Sequence, residues 1–121
     1  MYDGALILES LRVGTELSGI PVVVRKISRY DVSSATTDQP PVWSVLEFGV
    51  EDWHAEALAK ELAATLDAPG WYADFHNDKE IFVVFPGRVF RYPRGDATAR
   101  EEARRFGREL GIPEPQLDWT E

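Results

Sequence analysis

GWYADFHNDKEIFVVFPGRVFRYPRGD, residues 70–96, is the stretch from which the rest of the chain can be ordered. Its centre, IFVVF (Ile81 to Phe85), is apolar at every position, as a strand covered on both faces must be. On its N-terminal side Asn77 and Asp78 tolerate left-handed backbone and bond their own main chain, which predicts a hairpin from WYADFH. On its C-terminal side Pro86-Gly87 is the pairing of a type II turn before RVFRY. Three consecutive antiparallel strands are predicted, carrying seven aromatic rings.

Outward from this meander, VWSVLEFGV (residues 42–50) reads as a strand with Val42, Leu46, Phe48 and Val50 on one face and Trp43, Val45 and Glu47 on the other. PVVVRKISRYDV (residues 21–32) is rich in β-branched residues and reads as a further strand. Simple alternation there sets Val22, Val24, Lys26, Ser28 and Tyr30 against Val23, Arg25, Ile27 and Arg29, and the arginines among apolar residues predict an edge position. Between the two lies SSATTDQPP, residues 33–41, polar and without periodicity, read as a flexible inter-strand loop. ALILESLRV (residues 5–13) fits neither period and leaves a short helix or an extended arm open.

EDWHAEALAKELAATL places Ala55, Leu58, Leu62 and Leu66 on one helical stripe, ended by Pro69-Gly70. DATAREEARRFGRELGIP predicts a second amphipathic helix, with Thr98 and Glu101 at capping-box spacing and Gly111 as a left-handed C-cap before Pro113. The closing PEPQLDWT is too proline-rich for a central strand, yet Leu117 and Trp119 favour burial, so an ordered tail on the sheet is expected. The expectation is a single α+β domain over residues 1–121, with about five mainly antiparallel strands and two helices, a ferredoxin-like variant being one possible order.

Composition narrows the functional classes. Thirteen basic against twenty-one acidic residues give a net charge of −8, a field that repels polyanions and argues against nucleic-acid binding. With no cysteine there is no disulfide, zinc-thiolate site, iron-sulfur cluster or thiol nucleophile. Neither a signal-peptide pattern nor an apolar run of membrane-spanning length is present, so the expectation is a soluble cytoplasmic protein with no membrane partner.

Residues that could carry chemistry are few. Tyr72, Asp74 and His76 share one face of a strand, where a carboxylate beside an imidazole could orient a general base or bind a ligand. Arg88, with Arg91 and Arg94, could clamp an anion while Tyr92 offers a stacking face, which makes Tyr72, Asp74, His76, Arg88 and Tyr92 the candidate pocket. The plainer reading, a solvated strand end and arginines paired with abundant acids, is preferred for both groups. His54 lacks the second histidine of a zinc-binding helix, the serines stand in no nucleophile motif, and no glycine-rich phosphate loop occurs, so no metal or cofactor is expected.

LESLRVGTEL (residues 8–17), GWYADF (70–75), VFPGRVFRYPRGD (84–96) and FGRELGIPEPQLDW (106–119) together resemble a conserved, uncharacterised family of short bacterial proteins, over most of the chain except residues 33–41. That resemblance implies no activity, cofactor or catalytic residue. Three readings stand: a non-enzymatic domain that binds a protein partner or itself, a small-molecule binder or enzyme using the five-residue pocket, and an acidic inhibitor or immunity-type partner of a basic protein. The first is favoured, because no catalytic motif is present and the chain carries more aromatic side chains than one small core accommodates.

Overall fold

A computed structural model describes residues 1–121. Its elements in chain order are β1 (Tyr2–Ile7), β2 (Val23–Asp31), β3 (Val42–Val50), α1 (Asp52–Thr65), β4 (Ala73–His76), β5 (Glu80–Phe85), β6 (Arg88–Pro93) and α2 (Ala97–Glu109). Short 3-10 turns lie at Leu8–Ser10 and Glu114–Gln116. The strands form one six-stranded antiparallel sheet in the order β2-β3-β1-β4-β5-β6. No helix is long and apolar enough to cross a membrane.

The α+β architecture and both helices stand as the sequence predicts, and the sixth strand is β1. Residues 5–7 of the stretch read as a short helix or arm belong to it, the helical part being only the 3-10 turn at Leu8–Ser10, and β1 lies at the sheet's centre, with Gly4 opposite Phe48 on one side and Phe75 on the other. A side chain at Gly4 would place its Cβ 2.3 Å from the Asp74 carbonyl oxygen and 2.5 Å from the Phe75 Cβ. Only glycine permits that approach, and its missing side chain is what breaks the alternation that would have marked the strand. Because β3 and β4 both run antiparallel to β1, they are parallel to each other and joined through α1 around it. Here the sheet departs from a ferredoxin-like order: β1 fills the gap in the β3-α1-β4 unit, and the hairpin strand β5 extends the sheet outward.

The sides of IFVVF divide between two cores. Phe82 and Val84 join Tyr2, Phe48, Phe75 and the α1 residues Leu58 and Leu62 beneath the first helix. Ile81, Val83 and Phe85 meet Ala103 of α2 and the tail residues Ile112, Leu117 and Trp119 on the opposite face. Each large side chain so buried contributes roughly 2 kcal/mol of transfer free energy. The tail lies close enough to α2 that a Cβ on Gly107 would meet Leu117 Cδ2 at 2.7 Å.

Two local expectations are corrected. The N-cap of α2 is Asp96, whose carboxylate accepts from the Ala99 amide at 3.0 Å, so the helix starts too early for Thr98 to cap it. In β2 the pairing shifts between Val24 and Lys26, with Arg25 as the extra residue of a bulge. Val24 therefore lies opposite Phe48 on the α1 face, whereas Lys26, Ser28 and Tyr30 fall on the other. At the other end of α2, Gly111 takes φ +87° and Ile112 donates to the Gly107 carbonyl at 3.1 Å, as the C-cap reading requires.

Residues 33–41 are held by side-chain amides. Gln39 and Gln116 bond each other reciprocally, Gln39 donates to the Gly70 carbonyl at 2.9 Å, and Gln116 donates to that of Ser34 at 2.7 Å. The segment is thereby drawn toward the tail and away from the outer edge of β2.

Candidate functional site

The helices cover the sheet unequally. α1 lies across one face, whereas α2 and the tail cover only the β4-β5-β6 half of the other. The remaining half, over β2, β3 and β1, carries no helix, and this open half and its outer edge hold the exposed chemistry.

The five candidate pocket residues line no common cavity. Tyr72 and Tyr92 lie under the tail. The Tyr72 ring packs edge-on against Trp119 at 5.2 Å and its hydroxyl donates to the Gln116 carbonyl, while the Tyr92 hydroxyl accepts from the Trp119 indole N–H at 2.7 Å. Arg88 stacks on Phe90 with its guanidinium carbon 4.4 Å from the ring centroid, toward Phe106. Asp74 and His76 do come together, on the rim of a cleft of about 240 Å³ shared with Asp3, Arg25 and Glu47.

This cleft has unusual electrostatics. Burial, reinforced by the charge of Asp118, pushes the Asp74 carboxyl up to about 7. Burial, with the charge of Arg94 adding to it, holds His76 below the ordinary imidazole value, and its buried Nδ1 makes no hydrogen bond. Asp3, opposite His76 in the ladder, is engaged by Arg25 at 2.7 Å. A carboxyl that titrates near neutrality beside a neutral imidazole can accept or release a proton, but no nucleophile is placed with them. No grouping of three His, Cys, Asp or Glu side chains is arranged to hold a metal ion.

The sequence pointed at β2 only as an edge; the structure shows how bare that edge is. Val23, Val24, Ile27 and Tyr30 are 50, 55, 65 and 47% exposed, a density of apolar surface that a solvated strand does not normally present. Its backbone polarity follows from one bond. Val32 donates to the Pro41 carbonyl at 2.8 Å, and alternation along the ladder then makes Tyr30 opposite Trp43, and Ser28 opposite Val45, the hydrogen-bonded pairs. The N–H and C=O groups of Ile27, Arg29 and Asp31 consequently point away from β3, with no strand to receive them.

The side chains of this segment are equally unengaged. Arg29 and Asp31 make no ion pair, and the Tyr30 hydroxyl makes no hydrogen bond. Glu9, the acid influenced by Arg29, gives both its oxygens to the Ser44 amide and hydroxyl. On the open face Tyr30 lies opposite Trp43 in the ladder, and the Trp43 ring meets Trp71 at 5.2 Å.

On the α1 face, Leu17, Ile20, Leu46, Phe48 and Leu58 line an apolar cavity of about 290 Å³ with Glu61 and Ser18 at its polar margin. Val22, immediately before β2, belongs to the same wall.

No protein-family model matches the chain, and comparisons with curated proteins and with solved structures find no significant match.

Proposed function

We propose that the protein is a non-enzymatic, cytoplasmic association module that receives an extended strand along β2. One observation supports this above the others: a nine-residue edge strand whose outward backbone groups at Ile27, Arg29 and Asp31 are unpaired and whose apolar side chains are half exposed. Main-chain pairing supplies affinity in such strand addition, and side chains on alternate faces supply specificity. A photoreactive residue at position 30 tests it in cells. Crosslinks to a polypeptide that vanish on Ile27→Pro support the reading, since proline there removes an outward donor and leaves the β2-β3 bonds intact. Absence of any crosslink at position 30 sinks it.

A second reading, a small-molecule site, is supported by the opposed shifts of Asp74 and His76 in a cleft they share with Asp3, Arg25 and Glu47. Thermal stability measured across a metabolite library, for the wild type and for Asp74→Asn, tests it. A ligand that raises the melting temperature only of the wild type supports the cleft, and a library with no effect removes that reading for the compounds used.

A further inference from the structure

Resting on the strand-addition reading, we infer that the strand received by β2 is the β2 of a second copy, paired antiparallel about Tyr30. In that register Arg29 stands opposite the second copy's Asp31, Asp31 opposite its Arg29, and Tyr30 opposite Tyr30. Arg29-Tyr30-Asp31 is thus complementary to itself when reversed, and both charged side chains lie on the same face, as their ladder partners Ser44 and Val42 require.

The backbone agrees with the side chains. Arg29 and Asp31 carry outward N–H and C=O groups, so the two oppositely charged pairs coincide with hydrogen-bonded pairs, Cα atoms about 5.5 Å apart. Tyr30 occupies the non-hydrogen-bonded position between them, where Cα atoms approach to about 4.5 Å and side chains make their closest contact. The two Tyr30 side chains would then meet at the dyad on the face that carries their ladder partners Trp43. Registers centred on Ile27 or on Arg29 are disfavoured, because the first sets Arg29 against Arg25 and the second sets Arg29 against itself. Tethering of residues 33–41 to Gly70 and Gln116 keeps the adjacent connection off this edge. The product is a closed two-fold pair with one continuous twelve-stranded sheet, joined through Arg29, Tyr30 and Asp31 of each β2.

Sedimentation velocity on the full chain tests the pairing. Arg29→Asp and Asp31→Arg are each expected to weaken the dimer about tenfold or more, since either change juxtaposes like charges twice, and the double variant is expected to recover to within about threefold of the wild type. Both positions are exposed and unpartnered, so the monomer fold should survive; circular dichroism checks it. Hydrogen exchange gives a second readout, with the amides of Arg29 and Asp31 slowing as protein concentration rises. A wild type that remains monomeric at about 1 mM overturns the second copy, and crosslinks from position 30 to a different protein would then leave strand addition standing. A dimer lost on Ile27→Pro but indifferent to both charge reversals overturns the Tyr30-centred register alone. A dimer indifferent to all three variants overturns strand addition as well.

Discussion

The Trp119 indole donates its N–H to the Tyr92 hydroxyl at 2.7 Å, fastening the tail to β6 across the face that α2 shares. Trp119 also packs against Tyr72 and Phe85, with Arg100 over its ring. Trp119→Phe, which keeps most of the packing and leaves the tyrosine hydroxyl without this donor, should cost about 1–2 kcal/mol in urea unfolding. Trp119→Ala should cost about 3–5 kcal/mol. Equal losses for the two variants would show that the hydrogen bond, and not the ring, carries the contribution.

Asp74 gives a pH dependence of unusual sign. Burial, then the neighbouring Asp118, raises its carboxyl from 3.8 to about 7 in the native state. Between those values the folded protein holds a proton that the unfolded chain has released, so this group lowers stability as pH rises from about 4 to 7 and has no further effect above. Asp74→Asn should remove that slope and stabilise the protein at pH 8, by about 4 kcal/mol at most. Urea unfolding at pH 5 and pH 8 decides it; a difference between variant and wild type that does not change with pH contradicts the assignment.

Glu80 behaves in the opposite way. Hydrogen bonding from Arg91, at 2.6 Å, and from the Tyr2 hydroxyl holds its carboxyl below the ordinary range against the effect of burial. A depressed carboxyl contributes stability above its unfolded pKa and loses it as pH falls through the folded value. Glu80→Gln should therefore cost about 1–2 kcal/mol at pH 7 and much less near pH 3. Chemical denaturation at both pH values provides the measurement.

Gly4→Ala should be the most damaging single methyl addition in the chain. Its Cβ would fall 2.3 Å from backbone oxygen and 2.8 Å from the Phe75 Cα, and neither can rotate away as a flexible side chain could. A loss of about 3 kcal/mol or more is expected in thermal or urea unfolding. A melting temperature within a degree or two of the wild type would mean that β1 does not sit against β4 as described.

Legibility in the sequence followed the range of the interactions. IFVVF, the Pro86-Gly87 turn and the Gly111 cap are set within a few residues, and each lies where its pattern put it. β1 escaped because its key position is a glycine whose role appears only when residues 48 and 75 are brought beside it. The strand period correctly set Asp74 and His76 on one face, but nothing local announced that Trp119 would cover Tyr72 and Tyr92 or that Arg88 would turn to Phe90. The outward backbone of Arg29-Tyr30-Asp31 was hidden for a related reason: which backbone groups face outward depends on the ladder with β3, and the bulge at Arg25 shifts the simple alternation.

The central place of β1 has a kinetic meaning. The hairpin of β2 with β3 and the meander of β4 to β6 can each form from neighbouring segments, but the main chains of the two halves pair only through the strand between them. Joining the halves requires Gly4 to find Phe75, a closure spanning most of the chain, and such distant pairings are slow to form because the loop entropy is lost before the contact is gained. During that interval both flanks of the gap expose unsatisfied strand edges. The last seam to close is therefore the one whose two strands lie farthest apart along the chain.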